Sequence, residues 1–388
     1  MREAVIVGAA RTPCCKRGAQ LAPLVAEEIA SFAIKAAIER AGVDPAEIEE
    51  VFYGNTNGAD MKCASRAAAL EGGLPFSVPT LTFERGCASA LSAICVAATY
   101  IMSGQGDIYL AGGMESTSHA PFIMERQLKA PTTPPKWLTG RFINIHGEDC
   151  SMGQSAENVA NLLGITRKEC DAFALESQLR AAAATNAGYF RSQIAPVSVT
   201  VKGSTTIVDK DEIIRPETTM EGLGKLKPSF GKDGVCTAGN SSPFTDGASA
   251  VVVMEKEAAK ARGLKILGTL KGFCAAGRDP KTMGLGPVDA TTKLLARMGL
   301  TLDDIDLIEL NEAFASQAIG CVRQLGLDMN KVNVNGGAIA LGHPFGATGG
   351  VLTTKLLYEM ERRGLHRGLV TFCIGGGQGF SAIFEREE

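Results

Sequence analysis

No stretch of this sequence is apolar for long enough to span a membrane, and none of its eleven cysteines forms a Cys-x-x-Cys pair. The first absence speaks against a membrane protein; the second removes the commonest zinc and dithiol signature. Histidine is scarce, with His119, His146, His343 and His366 far apart in the chain, so a zinc site has little support. Neither sign of charge dominates: a formal net charge of -3 gives no electrostatic reason to bind nucleic acid or an anionic membrane. An anionic ligand must then be held by a local patch. No targeting signal is expected: a strand-like run at 4–7 begins almost at Met1, and residues 384–388 do not match a peroxisomal tripeptide. With cysteines scattered rather than arranged as a disulfide framework, the expectation is a reduced protein of the cytoplasm.

What is abundant is glycine. Forty-five glycines, 45% apolar and 21% charged residues describe a globular chain tilted towards glycine-rich turns, which fits an α/β enzyme. A length of 388 residues allows two domains, or one unit built of two similar halves. Two distant stretches share an order. In the first, Val51-Phe52-Tyr53 runs into Gly54-Asn55, Gly86-Cys87 opens a small-residue helix to about Ser103, and a strand at 108–110 ends in Gly112-Gly113. In the second, a run at 305–310 leads into Asn311-Glu312, Gly342-His343 precedes a helix to about Arg363, and a strand at 369–374 ends in Gly375-Gly376-Gly377. The echo predicts a duplication in which each half supplies its own sheet with helices on both faces. The pattern breaks down between 117 and 245, where the loop signal Pro131-Thr132-Thr133-Pro134-Pro135 precedes helical runs at 155–163 and 168–187. The expected division is a first half at 1–116 to which about 246–265 returns, a loop domain at 117–245, and a second half at 266–388.

Three reactive side chains each sit in a glycine-punctuated turn. Cys87 stands where a strand ending near Phe83 feeds a helix beginning at Ala88, and unpaired N–H groups at a helix start favour an anion. A thiol there is expected to ionise below its free value of about 8.5, making Cys87 a candidate thiolate nucleophile rather than a small buried filler. His343, in Gly342-His343-Pro344, has the chemistry of a base for that thiol, against the alternative of a solvated turn histidine. Cys373 precedes Gly375-Gly376-Gly377-Gln378-Gly379, which lacks dinucleotide-binding glycine spacing and ends too early for an acidic ribose partner. Its approachable N–H groups suit an oxyanion hole better.

Together these segments resemble the thiolase family over essentially the whole chain. The carrying stretches are Val5-Ile6-Val7-Gly8-Ala9-Ala10-Arg11-Thr12-Pro13, Gly112-Gly113-Met114-Glu115-Ser116, Met152-Gly153-Gln154-Ser155-Ala156-Glu157-Asn158, Thr237-Ala238-Gly239-Asn240-Ser241-Ser242, Asn311-Glu312-Ala313-Phe314-Ala315, residues 335–346, and Cys373-Ile374-Gly375. The resemblance implies a five-layer αβαβα core of two similar halves with an inserted loop domain, assembled as a homodimer or homotetramer. It implies that Cys87 carries the acyl group, His343 activates it, and Cys373 exchanges the substrate α-proton. Asn311 is implied to hold a water beside His343 as one oxyanion hole, and the N–H groups of Cys87 and Gly375 to form the other. Ser242, Arg215, Met152, Met283 and Phe314 match positions that contact coenzyme A, which serves as substrate; no bound cofactor or metal is implied.

The implied reaction is cleavage of a 3-ketoacyl-CoA by CoA, reversible as a Claisen condensation. Two positions depart from the family pattern. Glu84 stands where asparagine is common, and a carboxylate there would raise the nearby thiol pKa unless Arg85 offsets it. Ser151 replaces a histidine common in short-chain biosynthetic members, which favours a broader 3-ketoacyl-CoA thiolase over an acetoacetyl-CoA-specific one. A decarboxylating or hydroxymethylglutaryl-CoA-type synthase would need histidine or glutamate where Cys373 stands. A non-catalytic acyl-CoA-binding or lipid-binding homologue stays open, because a fold does not guarantee activity.

Overall fold

The computed structural model describes residues 2–57, 63–124, 137, 144–145 and 148–387. The proline-rich signal at 131–135 and His146 lie outside the described residues.

Nine strands form one row, in the order β3-β2-β4-β5-β1-β6-β9-β8-β7, with the short pair Cys15–Lys16 added beside β5. They are β1 (Ala4–Arg11), β2 (Glu50–Gly54), β3 (Thr80–Phe83), β4 (Ile108–Glu115), β5 (Thr245–Glu255), β6 (Gly268–Gly277), β7 (Leu307–Leu310), β8 (Arg367–Ile374) and β9 (Gln378–Glu385). The row repeats itself. In the first half β2 pairs parallel with β3 and β4, while β5 runs antiparallel between β4 and β1. In the second, β7 pairs parallel with β8, and β9 runs antiparallel between β8 and β6. Segment 331–333 takes the place of β3, with the Ile308 N–H donating to Lys331 O at 2.8 Å and the Asn333 N–H to Ile308 O at 2.9 Å.

The sequence echo predicts a separate sheet for each half, and the structure corrects this. β1 and β6 pair antiparallel through Val5–Thr269 and Ile6–Gly268, which joins both halves into one sheet. Left apart, each would present an open edge of unpaired backbone groups.

Helices complete five layers. α1 (Ala26–Ala41) and α2 (Ala64–Glu71) cover the outer face of the first half, and α6 (Gly286–Met298) with α7 (Ala315–Leu325) that of the second. α3 (Ser89–Met102) and α8 (Thr348–Arg363) pack on each other between the two halves of the sheet. α3 contains no charged residue, as a helix buried on most sides requires. α8 does carry charge, and its buried Lys355 Nζ is matched inside the core by Glu309 Oε2 and Gly336 O, both at 2.7 Å.

Residues 116–244, between β4 and β5, hold α4 (Met152–Leu163), α5 (Arg167–Asn186) and the hairpin Val197–Val201/Ser204–Val208. α4 starts three residues before the expected 155 because the Ser151 hydroxyl accepts the Gln154 N–H at 3.2 Å. The insertion is fastened to the core by Arg11, whose guanidinium makes two 2.8 Å bonds to Asp211, and by Ser177, which donates to Glu312 at 2.7 Å. β4 does not stop at Gly112-Gly113 but continues to Glu115. These glycines serve close approach: a Cβ on Gly113 would lie 2.0 Å from Gly346 O.

Candidate active site

The duplication explains why the reactive groups converge. Cys87 lies just before α3 and His343 just before α8, so the two occupy equivalent places at the starts of the paired central helices. Edge strand β3 delivers the chain to a tight turn in which the Ser89 hydroxyl donates to Gly86 O at 2.7 Å and accepts from the Arg85 N–H at 2.8 Å. Gly86 adopts φ 50°, and a Cβ there would meet Ile374 at 3.1 Å. Cys87 is thereby set against the end of β8. The N–H of Gly375 and that of Cys87 itself point at the thiol, inside a cleft of about 560 Å³ that Thr56, Asn57, Met152, Phe345 and Gln378 also line.

The expected low thiol pKa is corrected. Burial pushes Cys87 up to about 11, which outweighs the two N–H groups, and the carboxylates of Glu115 and Glu84 push in the same direction. Ala88 is the N-cap, so the sulfur sits outside the first turn, where the helix terminus acts weakly. Glu84 folds back to accept the Gly86 N–H at 2.7 Å. Arg85 turns elsewhere, donating to Ser92 Oγ at 3.2 Å and lying 5.1 Å from the Phe380 ring centroid.

His343 is fully enclosed. Its N–H donates to Thr245 Oγ1 at 3.1 Å, its Nδ1 lies 2.7 Å from Thr348 Oγ1, and the Thr348 hydroxyl donates to Pro344 O at 2.8 Å. With its one proton used on Pro344, Thr348 accepts from Nδ1–H, which leaves Nε2 as an acceptor. Asn311 Nδ2 stands 3.3 Å from that nitrogen. Asn311 Oδ1 is buried without a partner among the described residues. Burial lowers the His343 pKa from 6.5 to about 3, so the imidazole is neutral near pH 7.

That shift has a consequence for stability. The unfolded chain gains a proton on this histidine below about pH 6.5, whereas the folded protein resists it until about pH 3. The contribution is therefore complete above pH 6.5 and is lost as pH falls through that window, by on the order of a few kcal/mol. Urea unfolding at pH 7 and pH 5 should show a smaller loss in His343→Asn than in the parent.

Cys373 is buried beside Met283 and Ala313, with Met152 and Phe314 packed against the group. Burial holds its thiol well above the ordinary range, and negative charge on Cys87 or Cys321 would raise it further. Three expected coenzyme A contacts, Met152, Met283 and Phe314, thus gather around this thiol. Ser242 is tied to the same region, its N–H and hydroxyl meeting Ala313 O at 3.0 and 3.1 Å. Arg215 is exposed on a loop, its N–H donating to Gln178 Oε1 at 2.7 Å, and does not line the Cys87 cleft. Thr348 and Thr245 carry no sequence signal of their own; what they do follows from contacts made by the folded His343 turn. Among the described residues no group of three His, Cys, Asp or Glu side chains is placed to hold a metal ion, and no helix is long and apolar enough to cross a membrane.

Residues 4–257 match the family described as thiolase, N-terminal domain, and residues 264–386 match thiolase, C-terminal domain. The chain is 45% identical to an acetyl-CoA acetyltransferase of Chromobacterium violaceum, covering 99% of this chain and 100% of that protein. It is 44% identical to a beta-ketoadipyl-CoA thiolase of Pseudomonas putida, covering all of both. Among solved structures, the Bacillus anthracis acetyl-CoA acetyltransferase superposes with a TM-score of 0.95 at 38% identity, covering 99% of each chain. Human mitochondrial 3-ketoacyl-CoA thiolase does so at 0.92 and 38%, covering 100% of this chain and 99% of that one.

Proposed function

The chain belongs to the thiolase family of acyltransferases, and we propose that it cleaves 3-ketoacyl-CoA substrates longer than acetoacetyl-CoA through an acyl group carried on Cys87. The observation that carries the chemistry is geometric: Cys87 and Gly375 line one cleft, Asn311 Nδ2 stands 3.3 Å from His343 Nε2, and Cys373 is enclosed beside them, where burial keeps the thiols and the imidazole uncharged. Two S–H donors and one neutral base are what a carbon–carbon cleavage next to a thioester requires.

In this reading Nε2 of His343 takes the Cys87 proton as the sulfur attacks the 3-keto carbon. Burial disfavours the charged form of both groups, so a free transfer is unfavourable in the resting protein. It therefore proceeds only together with attack, when charge moves onto the ketone oxygen and donors facing it stabilise the adduct. The N–H groups of Cys87 and Gly375 serve the oxygen of the acyl-Cys87 thioester, and a water held by Asn311 serves, together with His343, the enolate oxygen. As the bond between C2 and C3 breaks, its electron pair becomes the enolate of acetyl-CoA, and Cys373 gives its proton to C2. A second CoA then gives its thiol proton to the Cys373 thiolate and takes the acyl group from Cys87, whose released sulfur recovers the proton held on His343, so both thiols and the neutral imidazole are restored. Coenzyme A is thus a substrate and not a resident group. Its contacts would be Met152, Met283, Phe314 and Ser242, with Arg215 the remote cation.

Ser151 supports the broader acyl range, since it caps α4 at the place where short-chain biosynthetic relatives commonly carry histidine. Assembly as a dimer or tetramer fits the edge strand β3, whose Leu81 is 44% exposed, near Phe76 at 85%. A cytoplasmic setting suits a mechanism that needs two reduced thiols. The test is CoA-dependent cleavage of a 3-ketoacyl-CoA series from four carbons upward, with beta-ketoadipyl-CoA included and acetyl-CoA quantified. Turnover of longer members is expected. Turnover confined to acetoacetyl-CoA would overturn the acyl range and leave an acetoacetyl-CoA-specific enzyme.

A further inference from the structure

The mechanism above makes no use of Glu115, the last residue of β4, although it is a fully buried carboxylate. Its Oε2 accepts from the Thr56 hydroxyl at 2.5 Å, the Thr56 N–H at 3.3 Å and the Gly346 N–H at 2.7 Å, and its Oε1 accepts from the Asn57 N–H at 3.1 Å. Three of these four partners are backbone N–H groups, which only donate, and the fourth is a hydroxyl; they favour the ionised form against burial, which is the larger influence and holds the carboxyl pKa above its ordinary value. The three chain segments tied here are in close contact. A Cβ on Gly54 would meet Gly346 O at 2.7 Å, and one on Gly346 would meet Met114 O at 2.5 Å and the Asn55 Cα at 2.9 Å. No side chain fits between them, so the carboxylate is the polar bolt of a glycine-only junction.

Two of those segments are walls of the Cys87 cleft. Thr56 and Asn57 line it directly, and Phe345, next to Gly346, lines it while its ring stands edge-on to His343 at 4.9 Å. We propose that Glu115 is a positioning residue, whose carboxylate fixes the His343 turn against the Thr56–Asn57 wall and so holds the base in register with Cys87. The inference rests on the reading of Cys87 and His343 as nucleophile and base. Its charge acts on the same site: the Glu115 carboxylate disfavours a Cys87 thiolate more than Glu84 does, so the resting sulfur stays protonated until substrate arrives. Glu115 itself touches no reacting atom.

The test compares the full-length parent with Glu115→Gln, which keeps the size and removes the charge and one acceptor. Two readouts are taken: steady-state turnover, and the rate at which iodoacetamide alkylates Cys87 at pH 8, followed by peptide mass spectrometry. A fall in kcat of about tenfold or more is expected from a displaced base. Alkylation of Cys87 is expected to speed up severalfold, because removal of a neighbouring negative charge raises the thiolate fraction. Measured across about pH 7 to 11, the alkylation rate should show its midpoint moved to lower pH, whereas a merely structural lesion that opens the cleft raises the rate without moving the midpoint in the direction a lost charge requires. Alkylation that is unchanged or slower, or turnover within about twofold of the parent, would overturn the proposal. Should Glu115→Gln fail to fold, Thr56→Val removes one donor and leaves the charge. It should lower kcat while leaving alkylation of Cys87 unchanged, and parental turnover in that variant would overturn the positioning role. Alkylation reports on the thiol whether or not the protein is a 3-ketoacyl-CoA thiolase. A parent that alkylates as expected but turns over no 3-ketoacyl-CoA would thus defeat the functional reading, not the electrostatic one.

Discussion

Cys87→Ala will lower CoA-dependent cleavage by on the order of 10⁴-fold or more, the scale on which loss of a covalent nucleophile acts. The cleft offers no substitute. Cys373 is enclosed by Met283, Ala313, Met152 and Phe314, and its thiol is held further from ionisation by burial. At Cys87, in contrast, two backbone N–H groups converge on the sulfur. The fold should be unchanged, because the residue retains solvent contact and precedes the α3 N-cap rather than forming it. The check is product acetyl-CoA per enzyme together with the thermal midpoint: a large loss of turnover at a parental midpoint is expected. Residual turnover within about tenfold of the parent would remove Cys87 from the reaction, since general acid–base and electrostatic effects alone would then carry it.

Cys373→Ala separates the two halves of the reaction. The variant should still accept an acetyl group from acetyl-CoA on Cys87, because that step uses only Cys87, His343 and the N–H groups around the sulfur. It should fail to exchange the α-protons of acetyl-CoA with deuterated solvent, and cleavage should fall by about 10²–10⁴-fold, the range for a lost general acid–base. Serine at the same place would restore the volume but not the acidity of a thiol. Deuterium exchange at the parental rate in Cys373→Ala would assign the proton to another group. The cavity left by a buried cysteine is small, so a destabilisation of about 1 kcal/mol is the most that should accompany the kinetic loss.

The sequence made the duplication legible through short signals. Glycine after a strand, a reactive residue before a small-residue helix, and a glycine-ended final strand occur twice in one order, and the structure shows the two copies as α3 and α8 side by side. The joining of the halves through β1 and β6 left no such trace, because two paired residues, Val5–Thr269 and Ile6–Gly268, impose no pattern on their neighbours. Local chemistry misled at Cys87. A helix start argues for a lowered thiol pKa, but burial is a sum over the whole fold and no window around the residue reports it. Thr348 and Glu115 were hidden for a related reason. A hydroxyl five residues after a histidine, or a carboxylate at a strand end, acquires meaning only when the chain brings Nδ1 or Gly346 to it. Ser151 departs from a family pattern in the sequence, and in the fold it is an N-cap, a role that its residue type and the following helical run do announce.

The account stands or falls on where the acyl group resides. The deciding measurement is to mix the protein with acetyl-CoA, quench in acid, and map the acetylated peptide by mass spectrometry, with CoA added in a second sample. The expected result is one acetyl group on the peptide containing Cys87, removed when CoA is added. Acetylation of a different residue, or full turnover with Cys87 never modified, would contradict it.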